Sequence, residues 1–302
     1  MQRVFEKKEG EDLETLFSGV ATAIITPFQN GKTDFDSLEQ LLEIQKRGGI
    51  TTLVVAGTTG EAPALTYEEF QDLCAFVRTH WKGTLIAGCG ANCTARAVEL
   101  AELAKGSGAD ALLAVTPYYN KATREGLAAH YRALAALGLP VIVYHVPSRT
   151  GYRLSMEDFR ALAEIPGICG VKECSGDLSF LQALALNFSD RWGIWTGNDD
   201  AIRAAMRLGA DGVISVASNL IPSEIRALTA LSEERDLPGA VERSASLYNV
   251  LLPKIQSLFW EVNPVPVKYV AFLKGICRLE YRLPLTEPSP ETKEKLKALW
   301  KE

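Results

Sequence analysis

The chain has 302 residues, of which 47% are hydrophobic and 23% are charged, as in soluble globular proteins that bury a large core. Its net charge of -5 excludes a basic surface for nucleic acid or an anionic membrane, so anionic ligands need local partners. The six cysteines form no CxxC pair, histidines are too few for a zinc site, and no segment predicts a signal peptide or a bilayer span. We therefore expect a cytoplasmic protein without a metal.

From residue 19 onward, short β-rich runs alternate with longer segments whose apolar residues recur at helical spacing. The eight runs are GVATAIITP, TTLVVAG, TLIAGCG, ALLAVTP, VIVYHVP, ICGVKE, GIWTG and GVISVAS. The segments between them include SLEQLLEIQKR, YEEFQDLCAFVRTHW, ARAVELAELAK and EGLAAHYRALAAL. A length of 302 residues allows two domains, but eight strand–helix units predict one closed (β/α)8 TIM barrel, because open sheets usually have fewer strands.

The two ends of the chain differ from this repeating pattern. We expect an N-terminal extension over residues 1–17, whose mixed charges indicate a frayed start, and a catalytic barrel over residues 18–235. Residues 236–302 are expected to form a C-terminal helical region. Its predicted helices include IQSLFWEV and PSPETKEKLKALWKE.

Lys172 lies at the polar end of the apolar run IPGICGVKECSG. A buried strand is usually made of apolar residues, so an amine at this position needs an explanation. It could lie along apolar surface with its ammonium in water, or it could be a nucleophile toward a carbonyl carbon in a dry pocket. A free lysine is unprotonated in only about 4 molecules per 10,000 at pH 7, so the second role requires a lowered pKa. Burial beside Ile168 and Val171 would lower the pKa of Lys172. Strand alternation directs Glu173 to the opposite side, so its carboxylate need not pair with the amine.

Further polar groups follow other strands, at the barrel end where active sites form. Thr58 and Thr59 lie in a turn flanked by Gly57 and Gly60, where hydroxyls and backbone N–H groups suit a small carboxylate. Arg149 can hold a second carboxylate by two hydrogen bonds.

Tyr144 ends the fifth run and can exchange protons with a carbinolamine. Each of these groups, taken alone, is also compatible with a tight turn, a surface loop or a solvated charge. Their predicted convergence at one barrel end favours a site.

The ordered motifs GTTGE, TPYYN, YHVPSRTG, GVKECSG, GVISV and NPVPVKY resemble the dihydrodipicolinate synthase family of pyruvate-dependent class I aldolases and lyases. The resemblance covers residues 18–302. It implies Schiff-base condensation of pyruvate with L-aspartate-4-semialdehyde in lysine and diaminopimelate biosynthesis, with no cofactor beyond the imine.

The resemblance also implies roles for single residues. Lys172 would form the imine with pyruvate, and Tyr144 would be the acid/base residue in a proton relay with Thr58 and Tyr119. Tyr119 would come from a neighbouring subunit, so we expect a homo-oligomer, commonly a dimer of dimers in this family.

The substrate contacts follow in the same way from the resemblance. Thr59 would bind the pyruvate carboxylate, the Ile214 carbonyl would line the pocket, and Arg149 would hold the carboxylate of the semialdehyde.

Some positions depart from the family pattern. His145 stands where the family usually has Asn, and Cys174 where a small Ala is common; we expect mild tuning, with His145 as a hydrogen-bonded structural residue.

The positions that bind lysine in feedback-inhibited relatives differ more. Arg96 stands in place of a glutamate, and Tyr67 and Phe70 in place of histidines. A guanidinium would repel the ammonium of lysine, which predicts weak or absent inhibition.

Two other functions stay open at this point. One is a sister lyase that uses pyruvate imine chemistry, such as N-acetylneuraminate lyase or a 2-keto-3-deoxy sugar acid aldolase. The other is a catalytically silent barrel that senses a ligand. Arg149 and the paired threonines favour the synthase over the sister lyases, and the joint presence of Lys172, Tyr144, Thr58 and Tyr119 disfavours a silent barrel.

Overall fold

A computed structural model describes residues 15–234 and 237–301 of the chain. Eight parallel strands close into a barrel, which confirms the predicted fold class. Following the chain, they are β1 (Gly19–Ala23), β4 (Thr52–Val55), β5 (Thr84–Gly88), β6 (Ala111–Val115), β7 (Val141–His145), β8 (Ile168–Glu173), β9 (Gly193–Thr196) and β10 (Gly212–Ser215). A two-residue hairpin, β2 (Phe28–Gln29) and β3 (Lys32–Thr33), follows β1 and was not predicted.

Helices follow the strands and cover the outside of the barrel. They are α1 (Phe35–Arg47), α2 (Tyr67–His80), α3 (Thr94–Gly106), α4 (Arg124–Ala135), α5 (Pro147–Thr150), α6 (Met156–Ala163), α7 (Leu178–Phe188), α8 (Ile202–Arg207) and α9 (Pro222–Glu233). Local signals set their ends: Thr66 and Glu69 form a reciprocal capping box at the start of α2. The barrel wall and these helices share one continuous apolar core.

Three helices follow the barrel: α10 (Ala240–Ser257), α11 (Val265–Leu273) and α12 (Pro290–Trp300). The predicted helix over residues 255–262 is wrong beyond Ser257, where the chain tightens into a turn: the Leu258 N–H donates to the Ile255 carbonyl at 3.2 Å and the Phe259 N–H to the Gln256 carbonyl at 3.0 Å. Within the described residues, no helix has both the length and the hydropathy needed to cross a bilayer.

The predicted N-terminal extension and the predicted end of the barrel lie largely outside the residues that the structure describes. Residues 1–14 of the predicted N-terminal extension are not among the described residues, and neither are residues 235–236, where we expected the barrel to end. The three-part division of the chain therefore stays a prediction.

Candidate active site

Lys172 and Tyr144 lie side by side at the carboxyl end of the barrel. The parallel register of β7 and β8 pairs the two residues, and the Lys172 Nζ lies 4.4 Å from the centroid of the Tyr144 ring. Lys172 is 6% exposed, and this burial lowers the pKa of its ammonium, although the nearby Cys174 and Asp199 act in the opposite direction. Because a neutral amine is the nucleophile, burial moves Lys172 toward its reactive form.

Gly197, which directly follows β9, makes the room that Lys172 occupies. A side-chain carbon added at this glycine would lie 2.5 Å from the Lys172 Cε and would also overlap the Cys174 thiol. The GIWTG run contained this residue, but its composition alone gave no reason to single it out.

The Tyr144 hydroxyl has two side-chain neighbours that influence its proton. Burial raises the pKa of Tyr144, and a hydrogen bond with Thr58 opposes that rise. Cys174 is the other neighbour, and burial raises the pKa of its thiol to about 11. Thr58 therefore lies near enough to the Tyr144 hydroxyl to affect its proton.

The turn that carries Thr58 and Thr59 is held by its own backbone. The Gly60 N–H donates to the Gly57 carbonyl at 3.1 Å, and Glu61 adopts a left-handed φ of +54°. A side chain at Gly60 would be crowded, because an added carbon would lie 3.1 Å from the Thr26 hydroxyl and 3.2 Å from the Ile24 carbonyl oxygen. Thr59 is buried, and its hydroxyl accepts a hydrogen bond from the Asn263 side-chain amide at 3.1 Å.

A cavity of about 240 Å³ opens at this end of the barrel. Its lining includes Gly57, Thr58, Tyr144 and Arg149, together with Arg96 and Tyr118. Arg149 lies on α5, where its guanidinium also donates to the Asn263 carbonyl at 3.1 Å. The cavity therefore brings the hydroxyl groups of Thr58 and Tyr144 and the positive charge of Arg149 to one place.

Other predicted residues are not part of this lining. Lys172 is absent from the lining and lies beside Tyr144, which is part of it. Ile214 is fully buried on β10 in the barrel interior, and Thr59 and Gly60 are buried within the turn. Tyr119 is 90% exposed, with a left-handed φ of +71°, and does not reach Tyr144 of its own chain. Its predicted delivery to a neighbouring subunit stays a prediction.

Comparison with known proteins places these features in a family. The model of the dihydrodipicolinate synthetase family matches residues 16–302. The chain belongs to this family. It is 42% identical to the 4-hydroxy-tetrahydrodipicolinate synthase of Kosmotoga olearia over 289 residues, which are 93% of this chain and 97% of that protein.

Solved structures of relatives superpose on nearly the whole of this chain. The dihydrodipicolinate synthase of Aquifex aeolicus superposes with a TM-score of 0.90 at 37% identity, covering 94% of this chain and 97% of the other. The chloride-inhibited dihydrodipicolinate synthase of Acinetobacter baumannii, solved in complex with pyruvate, gives 0.89 at 40% identity, with 94% and 98% covered.

In this member of the dihydrodipicolinate synthetase family, Asp199 supports the strand that carries Ile214. Its carboxylate is fully buried and accepts hydrogen bonds from the Ser215 hydroxyl, from the Val216 N–H at 2.8 Å and from the Ala217 N–H at 3.3 Å. Burial raises its pKa to about 6. Asp199 lies shortly after the GIWTG run, and nothing in the local sequence distinguishes it from the adjacent Asp200.

His145 and Glu173 form a buried pair on the far side of the same two strands. The His145 Nδ1 lies 2.6 Å from the Glu173 carboxylate, and its Nε2 accepts the Leu154 N–H at 3.1 Å. Because Nε2 accepts, the proton resides on Nδ1 and the ring is neutral. Glu173 also accepts the Ser175 N–H at 2.5 Å. His145 thus occupies a structural position outside the cavity.

Proposed function

We propose that this chain is a 4-hydroxy-tetrahydrodipicolinate synthase, which condenses pyruvate with L-aspartate-4-semialdehyde through an imine on Lys172. The observation that carries the proposal is the buried Lys172 amine, with its lowered pKa, in contact with the ring of Tyr144, which lines the cavity. Membership of the dihydrodipicolinate synthetase family supports the same activity.

In the proposed first step, the neutral Lys172 amine attacks the ketone carbon of pyruvate and forms a carbinolamine. Loss of water then requires a proton on the leaving hydroxyl, which Tyr144 supplies and regains through Thr58. The resulting imine acidifies the pyruvate methyl group, so removal of a methyl proton gives an enamine. Its terminal carbon is the nucleophile toward the aldehyde of the second substrate.

The two substrate carboxylates have separate proposed partners. Thr59 and the turn from Gly57 to Gly60 bind the carboxylate of pyruvate, near the Ile214 carbonyl, and Arg149 binds that of the semialdehyde. The imine nitrogen acts as the electron sink, so the proposed chemistry uses no cofactor.

Assembly completes the proposed relay. Tyr119 is 90% exposed on the loop between β6 and α4, which suits a side chain shared with a second copy of the chain. We therefore propose at least a dimer, with a dimer of dimers as the preferred state.

Borohydride trapping tests the proposed imine. Incubation with pyruvate and borohydride, followed by peptide mass analysis, is expected to show a reduced pyruvate adduct on Lys172. The Lys172→Arg variant is the matched control, because it keeps a cation but lacks the amine nucleophile. An unmodified Lys172 in the wild-type protein would contradict the mechanism.

Initial rates then identify the substrate. The proposal expects turnover of pyruvate with the semialdehyde, and negligible cleavage of N-acetylneuraminate or 2-keto-3-deoxy sugar acids. The reverse order of rates would assign a sister lyase instead, and trapping without turnover of any of these substrates would favour a ligand-sensing barrel.

A further inference from the structure

A residue from the C-terminal region lies against the candidate active site. Asn263 stands between α10 and α11 and is 9% exposed. Its side-chain Nδ2 donates to the Thr59 hydroxyl at 3.1 Å, and its backbone carbonyl accepts from the Arg149 guanidinium at 3.1 Å. One residue therefore contacts both of the groups proposed to bind substrate carboxylates.

The direction of the first hydrogen bond determines what Thr59 can do. A threonine hydroxyl has one proton and two lone pairs. The Asn263 amide occupies a lone pair, so the proton of Thr59 stays available for an acceptor. A carboxylate is an acceptor only, and a hydroxyl donor matches it. An acceptor at position 263 would instead attract the Thr59 proton away from the substrate.

We propose that Asn263 is a positioning residue that orients the Thr59 hydroxyl toward the carboxylate of pyruvate. This inference rests on the proposed function and adds to it a residue whose contact with Thr59 spans 204 positions of sequence. The Asn263 side-chain oxygen has no partner among the described residues, so the amide group acts through Thr59. Its backbone carbonyl holds Arg149 independently of the side chain.

A second contact keeps the same turn in place. Lys268, on α11, forms a buried ion pair with Glu61, two residues beyond Thr59. Both side chains are 1% exposed. The C-terminal segment therefore holds the turn at two points, and the Asn263 amide can act on a Thr59 side chain that has little freedom to move.

Two substitutions at Asn263 separate the possible effects. Asn263→Ala removes the amide and leaves the backbone carbonyl, and Asn263→Asp keeps the shape but offers only acceptors to Thr59. We expect the KM for pyruvate to rise about tenfold in Asn263→Ala and further in Asn263→Asp, with a smaller change in kcat. The KM for the semialdehyde is expected to change little, because the carbonyl bound to Arg149 remains.

A ketone without a carboxylate distinguishes orientation of Thr59 from general disruption. The rate of borohydride trapping is measured with pyruvate and with hydroxyacetone. Asn263→Ala is expected to slow trapping of pyruvate at subsaturating concentration about tenfold and to leave trapping of hydroxyacetone unchanged. In a Thr59→Val background, Asn263→Ala is expected to have no further effect, because the two residues act through one hydroxyl.

Tyr281→Phe is the matched control for loosening of the C-terminal segment. It removes the hydrogen bond from Tyr281 to the Val265 carbonyl at 2.8 Å, without touching Thr59, and is expected to leave the KM for pyruvate unchanged. Equal slowing of both ketones, or additive effects with Thr59→Val, would overturn the positioning role. Wild-type protein that traps neither ketone would instead overturn the proposed function. Asn263→Asp provides the same comparison where the alanine variant does not fold.

Discussion

The buried ion pair between Glu61 and Lys268 makes a specific prediction about stability. Lys268 lies on α11, and its ammonium also contacts the rings of Phe28, at 4.4 Å from the centroid, and Tyr281, at 5.2 Å. Glu61 additionally accepts the Arg282 N–H at 3.2 Å. Glu61→Gln preserves the shape and an oxygen acceptor but leaves the Lys268 charge without its partner.

The expected loss follows from the burial of both groups. Breaking a buried pair costs about 3 to 5 kcal/mol, and the oxygen retained by glutamine places the loss near about 3 kcal/mol. An unfolding entropy of about 2.1 cal/mol/K per residue corresponds to about 0.6 kcal/mol/K for a chain of this length. We therefore expect the Tm of Glu61→Gln to fall by about 5 °C.

Thermal unfolding at one protein concentration, followed by circular dichroism, measures this effect. The double variant Glu61→Gln with Lys268→Met is expected to recover most of the loss, because it removes the unpaired charge and places a thioether against the two rings. Glu291→Gln is the matched surface control, since Glu291 and Lys295 are 76% and 58% exposed, and we expect no measurable change. A Tm for Glu61→Gln within 1 °C of the wild type, or a double variant less stable than the single one, would refute the reasoning.

Two further predictions concern regulation and pH. Lysine at millimolar concentration is expected to leave the initial rate nearly unchanged, because Arg96 lies over the Tyr67 ring at 5.8 Å from its centroid and the nearby Glu99 already accepts the Tyr67 hydroxyl at 2.8 Å. The relative from Cyanidioschyzon merolae, solved with lysine bound, is a positive control for lysine binding. Strong inhibition of this chain would contradict the prediction. Burial raises the pKa of Asp199 to about 6 from an ordinary value of 3.8. The folded state therefore holds this proton more tightly than the unfolded state does. As a result, the contribution of Asp199 to stability falls as pH rises between those two values. The Tm of Asp199→Asn minus the Tm of the wild type is therefore expected to rise between pH 4 and pH 7. A value of this difference that falls as pH rises would contradict the prediction.

The barrel was predictable because its signals are local. Each strand is an apolar run of a few residues, and each following helix shows apolar spacing and capping residues, so eight units could be counted without any long-range information. The hairpin of Phe28–Gln29 and Lys32–Thr33 escaped this reasoning, because two-residue strands are too short to show alternation.

The candidate site was predictable in part for a similar reason. Residues that follow parallel strands meet at one end of a barrel. The sequence alone therefore predicted that Lys172, Tyr144 and Thr58 lie together. Asn263 and Lys268 contact the turn at Thr59 and Glu61 across more than 200 positions, and no local pattern encodes such contacts. The need for a glycine at position 197 depends on the path of the Lys172 side chain, and composition does not reveal that path.

The pleat of two adjacent strands places two candidate catalytic residues on one side and a buried hydrogen-bonded pair on the other. Along β7 and β8, Tyr144 pairs with Lys172 on one side and His145 with Glu173 on the other. The outer pair is fully satisfied: His145 accepts one backbone N–H and donates to Glu173, which accepts another. A shift of one residue between the strands would break these buried hydrogen bonds, each worth about 1 to 3 kcal/mol. The same register that satisfies the outer pair therefore holds the Lys172 amine beside the Tyr144 ring.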